Sequence, residues 1–410
     1  MLSFITLAVA LAVARVAWTS PRIAVWLGWL TVPAYLVKLT LGPLPTNLWE
    51  VVVITVAVGL AARHPREAGA TLWTSCQRLG WPAVLLGLGV IVGLAVSPDL
   101  RLGLGIAKGW FLVPLLLYWL TIWQVRPADI VSHVLTLVVT TIPLSLVALA
   151  QVATQIFITV DGRASGWFVS ANYLSMYLVP VLLLGTIVIQ TGAVWQRRLA
   201  YLAWGLGLAA IYSSFSFGGW LALVAGILIW VAMRWHRRWW EWIWGIILPA
   251  LAVASQWQTE RFQYMLDLTQ RSSISVRWQV WQTALAMIKA HPVTGIGLGQ
   301  FRDQYLNYAS WLFSPPWELA ILHAHNVYLQ FWVNAGLLGL VGWVWLAVDF
   351  FRRAARRSTP QTIGLVAAMA ATLIHGLGDT TYWKNDLAAI FWLILALQTI
   401  MTDTSTSTKV

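Results

Sequence analysis

What most constrains this chain is a series of long apolar runs that recur along almost its whole length. They lie near 2–18, 22–40, 48–62, 80–96, 104–123, 131–157, 168–190, 199–212, 215–233, 240–256, 326–350, 361–378 and 386–401. About 20 helical residues cross the hydrocarbon core of a bilayer. Only helices or closed barrels satisfy their backbone polar groups there, and runs of this length suit helices. The expected fold is an all-α polytopic membrane protein with about 12 or 13 transmembrane helices. The 199–212 run is short and leads into Ser213-Ser214-Phe215-Ser216-Phe217-Gly218-Gly219, where a broken or tilted helix is expected.

Composition agrees. The chain is 59% hydrophobic and 10% charged, a balance that excludes a water-soluble protein of this size. Its 29 tryptophans suit many crossings of the membrane interface, where indoles settle. A net charge of +12 invites a nucleic-acid reading, but the cations sit in short clusters between apolar runs. That is the positive-inside pattern, so no nucleic-acid partner is expected. The single cysteine, Cys76, excludes a disulfide framework and a cysteine metal site. The N-terminus lacks a basic region or cleavage site and reads as a retained helix.

Loop charges give an orientation. Arg63/Arg66/Arg78, Arg126, Arg197/Arg198, Arg234/Arg237/Arg238 and Arg352/Arg353/Arg356/Arg357 fall in alternate loops, which places those loops and the C-terminus in the cytoplasm. The chain then divides into an N-terminal bundle (1–255), a large extracytoplasmic loop (256–325), C-terminal spans (326–401) and a polar cytoplasmic tail (402–410). Within the loop, Ser275 is the expected cap of a helix to about Ala290, ended by His291-Pro292. Its Trp278, Trp281, Leu285 and Ile288 predict an interfacial position. Gly295, Gly297 and Gly299 form a Gly-x-Gly-x-Gly turn with no preceding strand, read as a flexible membrane-entry loop and not a dinucleotide fingerprint. A short helix over about 301–313 precedes Ser314-Pro315-Pro316.

The polar groups of 271–340 read as a site, because ionisable residues at a membrane boundary are costly. Arginine suits a diphosphate, which its planar fork grips in pairs of hydrogen bonds. A neutral histidine suits activation of a hydroxyl. Each has a plainer reading: arginines that meet lipid headgroups, and histidines that are structural hydrogen-bonders. Residues two apart on a helix point about 200° apart, so His323 and His325 cannot share a site if both are helical. Asn326, Gln330 and Asn334 form a stripe at i, i+4 and i+8, either facing substrate or bonding between helices. Tyr382, Lys384 and Asp386 read as interface anchors or as acceptor contacts.

The ordered set Arg271-x5-Arg277-Trp278, His291-Pro-Val-Thr-Gly-Ile-Gly-Leu-Gly299-x-Phe301, His323-Ala-His325-Asn326-x-Tyr328-Leu-Gln330 and Gly336-Leu-Leu-Gly-Leu340 resembles the O-antigen ligase and Wzy-type polymerase family. Weaker echoes are Gly166-Trp-Phe-Val-Ser-Ala-Asn172 and the Gly378-Asp379 to Trp392 stretch. The resemblance implies a GT-C-type membrane glycosyltransferase of the inner membrane, without cofactor or metal. It implies transfer of a glycan from an undecaprenyl-diphosphate carrier to an acceptor hydroxyl of a lipid, glycan or protein on the outer face. Carried over by position, His325 is the catalytic base, and Arg271 and Arg277 meet the diphosphate. His323, Asn326, Gln330 and Asn172 support the site or face substrate. The family's Ser-Arg-Gly is Ser216-Phe217-Gly218 here, and Arg163 in an outer loop is the candidate replacement cation. The glutamate that often precedes Gly-Leu is Asn334. A solute or inorganic-carbon transporter is the competing class, but the chain has no inverted repeat, and its ionisable residues do not gather at the midplane.

Overall fold

The computed structural model describes residues 2–42, 44–234 and 271–403, with isolated positions between 247 and 267. The expected 240–256 span lies outside the described residues. The architecture is all-α apart from one small hairpin. Among the described residues, seven helices are long and apolar enough to cross a membrane: α1 (Leu2–Thr19), α4 (Pro65–Ala95), α5 (Leu100–Gln124), α6 (Pro127–Thr154), α7 (Ala171–Thr191), α12 (Val327–Ala354) and α14 (Asn385–Thr402 within Asn385–Asp403). The remaining helices are α2 (Pro21–Leu30), α3 (Leu48–Arg63), α8 (Val194–Ser213), α9 (Phe217–Ala232), α10 (Ser273–Ala290), α11 (Phe301–Leu312) and α13 (Pro360–His375).

Two expectations change. The 22–40 run is not one span. It forms α2, a 3-10 turn and β1 (Lys38–Leu41), which pairs antiparallel with β2 (Leu44–Asn47). Pro33 within this run removes an amide donor and limits continuation of a helix. The 199–212 run belongs to α8, which is 20 residues long. Its break is a tight turn at Ser214–Ser216, with Phe215 at φ 47°. Cβ atoms built at Gly207 and Gly226 would meet Leu182 and Leu183, so α8 and α9 both run back along α7.

Loop contacts sort into two ends. At one end, Thr6 donates to the Thr40 carbonyl at 2.8 Å, Ser97 to Leu298 at 3.2 Å, and Ala164 N–H to Ser213 at 3.2 Å. At the other, Arg353 donates to the Arg78 carbonyl at 3.0 Å, and Arg357 to Thr402 at 3.1 Å. Two of the arginine clusters of the sequence, those of Arg78 and Arg353, thus touch.

The Gly-x-Gly-x-Gly turn is pinned, not loose. Helix α12 breaks at Gly336 (φ 66°), and the backbone groups freed there bond to the turn. Ile296 N–H donates to the Val333 carbonyl at 2.8 Å, and Leu337 N–H to Val293 at 3.0 Å. A Cβ on Gly336 would lie 2.2 Å from the Val293 oxygen, so this approach requires glycine. Asn334 Oδ1 accepts from Gly299 N–H at 2.7 Å, and Gln330 Oε1 from Ala324 N–H at 2.7 Å. The polar stripe of α12 therefore spends its inner residues on holding irregular backbone, as a membrane interior requires. Beneath it, Phe331 stacks on Trp343 at 4.6 Å and packs against Tyr382 and Trp383, which fixes the turn between α13 and α14.

Candidate active site

Helix α10 begins three residues earlier than Ser275 suggests. Ser272 is the cap: its Oγ accepts from Ser275 N–H at 3.1 Å, and Ser275 Oγ accepts from Ser272 N–H at 2.8 Å. This reciprocal capping box places Arg277 one turn into the helix, where its Nη1 donates to Ser273 Oγ at 2.6 Å. Trp278 faces outward, as expected of an interfacial helix, whereas Ile288 is buried.

Arg277, His325 and Asn172 converge on Asp379, a buried carboxylate in the α13–α14 turn. Its Oδ1 accepts from Thr380 N–H at 2.9 Å and lies 3.4 Å from His325 Nδ1. Its Oδ2 accepts from Asn172 Nδ2 at 3.1 Å and lies 3.9 Å from Arg277 Nη2. Burial pushes the Asp379 carboxyl up. The contacts with His325, His323 and Arg277 outweigh it and hold the group below the usual carboxylate range. Asn172, in the first turn of α7, passes the network on: its Oδ1 accepts from Arg163 Nη1 at 3.2 Å. Arg163 also pairs with Asp161.

His323 and His325 are both outside helices, and their ring centroids are 4.3 Å apart. The objection that helical residues two apart diverge therefore does not apply. His325 has φ 46°, an uncommon conformation for a side chain of this size. It is held there because Trp281 Nε1 donates to its carbonyl at 3.2 Å and Asn326 caps α12, accepting from Tyr328 and Leu329 N–H at 3.0 Å each. Such strain gathers at functional sites. His323 Nε2 meets the Tyr173 hydroxyl at 2.9 Å. Burial, then the neighbouring His325, brings the His323 imidazole down to about 3, so it is neutral at physiological pH.

A cavity of about 350 Å³ opens beside this cluster. Its wall is built from the first turns of three helices: Asn172 of α7, Phe217 and Gly218 of α9, and Ser273, Ile274 and Arg277 of α10. Arg163, Asp161, His375 and Asp379 also line it, whereas His323 and His325 do not and reach it through Asp379. Helix N-termini carry a partial positive charge and unpaired N–H groups, so three of them beside two arginines suit an anion. Arg271 does not line this cavity. It pairs with Glu318, and its side chain is 57% exposed. Asn326 and Gln330 do not line it either, since the first caps α12 and the second holds Ala324. Among the described residues, His323, His325 and Asp379 are also the one group that brings three potential metal ligands together.

Asp379 was legible only as part of a weak echo. The signal that points to it is an acidic residue between two apolar helices, which a membrane protein rarely tolerates without use. Tyr382 and Asp386 are buried, so neither is an interface anchor or a solvent-facing acceptor contact. Lys384 lies 3.3 Å from the centre of the Tyr173 ring, and burial draws its ammonium down to about 8.

Comparison with known proteins agrees with the resemblance. Residues 200–344 match the family model described as O-antigen ligase. Over 334 residues, 75% of this chain and 78% of the relative, the sequence is 23% identical to the O-antigen ligase of Salmonella typhimurium strain LT2. The family match takes in Arg277, His323 and His325, while Arg163, Asn172 and Asp379 lie outside it.

Proposed function

We propose that this protein transfers a glycan from an undecaprenyl-diphosphate carrier to an acceptor hydroxyl on the outer face of the inner membrane, as an O-antigen ligase or polysaccharide polymerase. The observation that carries the reading is the double engagement of Asp379, with His325 beside one oxygen and Arg277 beside the other, at the wall of an anion-suited cavity. A membrane glycan-transfer activity accords with the O-antigen ligase resemblance.

In this mechanism Asp379 accepts a hydrogen bond from His325 Nδ1–H, which keeps the proton on that nitrogen and leaves the Nε2 lone pair for the acceptor. His325 Nε2 takes the hydroxyl proton as the acceptor oxygen bonds to the anomeric carbon. The bond from that carbon to the diphosphate oxygen breaks, and undecaprenyl diphosphate leaves with the electron pair. Arg277, Arg163 and the N–H groups of α7, α9 and α10 stabilise the growing negative charge, the larger part of such catalysis. Arg271, exposed just before the cap of α10, guides the donor headgroup toward the cavity.

The test is transfer from purified undecaprenyl-diphosphate glycan to a hydroxyl acceptor in detergent, with chelator present. Turnover by the wild type, about 100-fold or more above His325→Ala, is expected. Full activity in His325→Ala overturns the base assignment, and dependence on an added divalent metal overturns the arginine-based mechanism.

A further inference from the structure

We propose that His323, His325 and Asp379 form a binding site for a divalent transition-metal ion, for which Zn²⁺ is the probe, and that the ion switches transfer off by capturing the lone pair of His325 Nδ1. One ligand atom from each of the three residues lies within 4.8 Å of the other two. A tetrahedral zinc with bonds of about 2.0–2.2 Å sets its ligand atoms about 3.3–3.5 Å apart. His325 Nδ1 and Asp379 Oδ1 already stand at 3.4 Å. Closing the third ligand requires a shift of about 1.4 Å at most to reach the same spacing, within the reach of side-chain rotation.

Two further features favour an ion there. The Nδ1 atom of His323 is buried and has no hydrogen-bond partner, a costly state that a metal relieves, and His325 Nδ1 faces Asp379 Oδ1 at 3.4 Å. The Tyr173 hydroxyl at 2.9 Å occupies His323 Nε2, which leaves Nδ1 as the free position. A ligating histidine commonly holds its other ring nitrogen in just such a bond, which fixes tautomer and ring orientation. Arg277 opposes a cation, but it lies against Oδ2 and leaves Oδ1 to the ion. Two imidazoles and a carboxylate suit zinc and its neighbours in the transition series, and do not suit magnesium or calcium.

The consequence follows from the tautomer. In the transfer mechanism the His325 proton sits on Nδ1 against Asp379, and Nε2 is the base. A metal on Nδ1 places the ring proton on Nε2, where it can no longer receive one from the acceptor. This inhibition rests on the glycan-transfer reading; the binding does not.

The experiment uses full-length protein in detergent, freed of any affinity tag and stripped with chelator. Zinc binding is measured by equilibrium dialysis, and transfer is measured with and without zinc. Wild type is expected to bind one more zinc per chain than either His323→Gln or Asp379→Asn. His323→Gln keeps a side-chain amide for Tyr173 without an imidazole, and thermal unfolding verifies that it is folded. Zinc at saturation is expected to lower wild-type turnover by about 100-fold, the share of a general base, with recovery on adding chelator. Equal zinc stoichiometry in wild type and both variants overturns the site, and zinc bound without loss of turnover overturns the switch. Absence of transfer in chelator-treated wild type is a failure of the transfer reading instead, and the binding stoichiometry is read independently of it.

Discussion

Replacing Asp379 by asparagine separates the charge of this residue from its shape. The Asn amide is nearly isosteric, and one of its atoms must face His325 Nδ1 while the other faces Arg277 and Asn172 Nδ2. If the amide oxygen stays toward His325, its NH₂ opposes two donors, at distances that are now 3.1 and 3.9 Å. If the amide turns, its NH₂ donates to His325 Nδ1 and drives the ring proton to Nε2, the wrong nitrogen for a base. Both orientations lose the carboxylate that stabilises the imidazolium. In the serine-protease triad the corresponding change costs about 10⁴-fold. Here the His325–Asp379 separation of 3.4 Å is longer than a tight hydrogen bond. A loss of about 100- to 1000-fold in kcat is therefore expected, or roughly 3–4 kcal/mol of barrier. Donor KM should not rise, because Arg277 loses a competing partner and keeps its charge for the diphosphate. The assay is steady-state transfer with varied donor, alongside thermal unfolding to confirm the fold. A kcat within threefold of wild type refutes the support of His325 by Asp379. A raised KM with unchanged kcat assigns Asp379 to holding Arg277 in place.

Arg277→Lys keeps the charge but loses paired hydrogen bonds, so transfer falls by about tenfold to a hundredfold and Arg277→Ala falls further; Arg271→Ala, outside the cavity, falls less, and the ranking is read in kcat/KM. Arg163→Ala should raise donor KM, because it removes the second cation of the cavity; an unchanged donor titration would show that Arg277 and the helix N-termini suffice. Lys384 has a folded pKa of about 8 against 10.5 when free, so the unfolded chain binds more protons between these values. Its cost to stability is full below about pH 8 and fades as pH rises toward 10.5, so thermal unfolding in detergent should show a steeper rise over this window in wild type than in Lys384→Met. Single cysteines at Ser310 and Arg356, in a Cys76→Ala background, should label from outside the cell at 310 and not at 356.

The helices were legible because their apolar runs match the length of a bilayer crossing. The 22–40 region misled because its apolar content is as high as that of a span, while Pro33 and the turn at Gly42 direct it into a hairpin. Arg277, His325 and Asn172 were legible as motif positions, yet their convergence was not. It depends on Asp379, more than 50 residues beyond His325 and about 200 beyond Asn172; hydropathy and spacing carry no record of such closure. Arg271 shows the converse. Its spacing from Arg277 suggests a pair, but Arg271 precedes the Ser272 cap of α10 and turns to Glu318, while Arg277 sits one turn inside the helix.

The position of Phe217 sharpens what the cavity requires. A family arginine is absent there, and the side chain that replaces it is apolar. The backbone is still arranged for an anion: Ser216 caps α9, accepting from Gly219 N–H at 3.3 Å, and the first residues of α9 line the cavity with those of α7 and α10. A helix N-terminus contributes about half a unit charge, screened little where water is excluded. With Arg163 facing Asp161 and Arg277 facing Asp379, these three termini are what the proposed diphosphate reading relies on in place of a cation at 217. The site thus exchanges a mobile charge for fixed dipoles, which need no reorganisation as the leaving group departs.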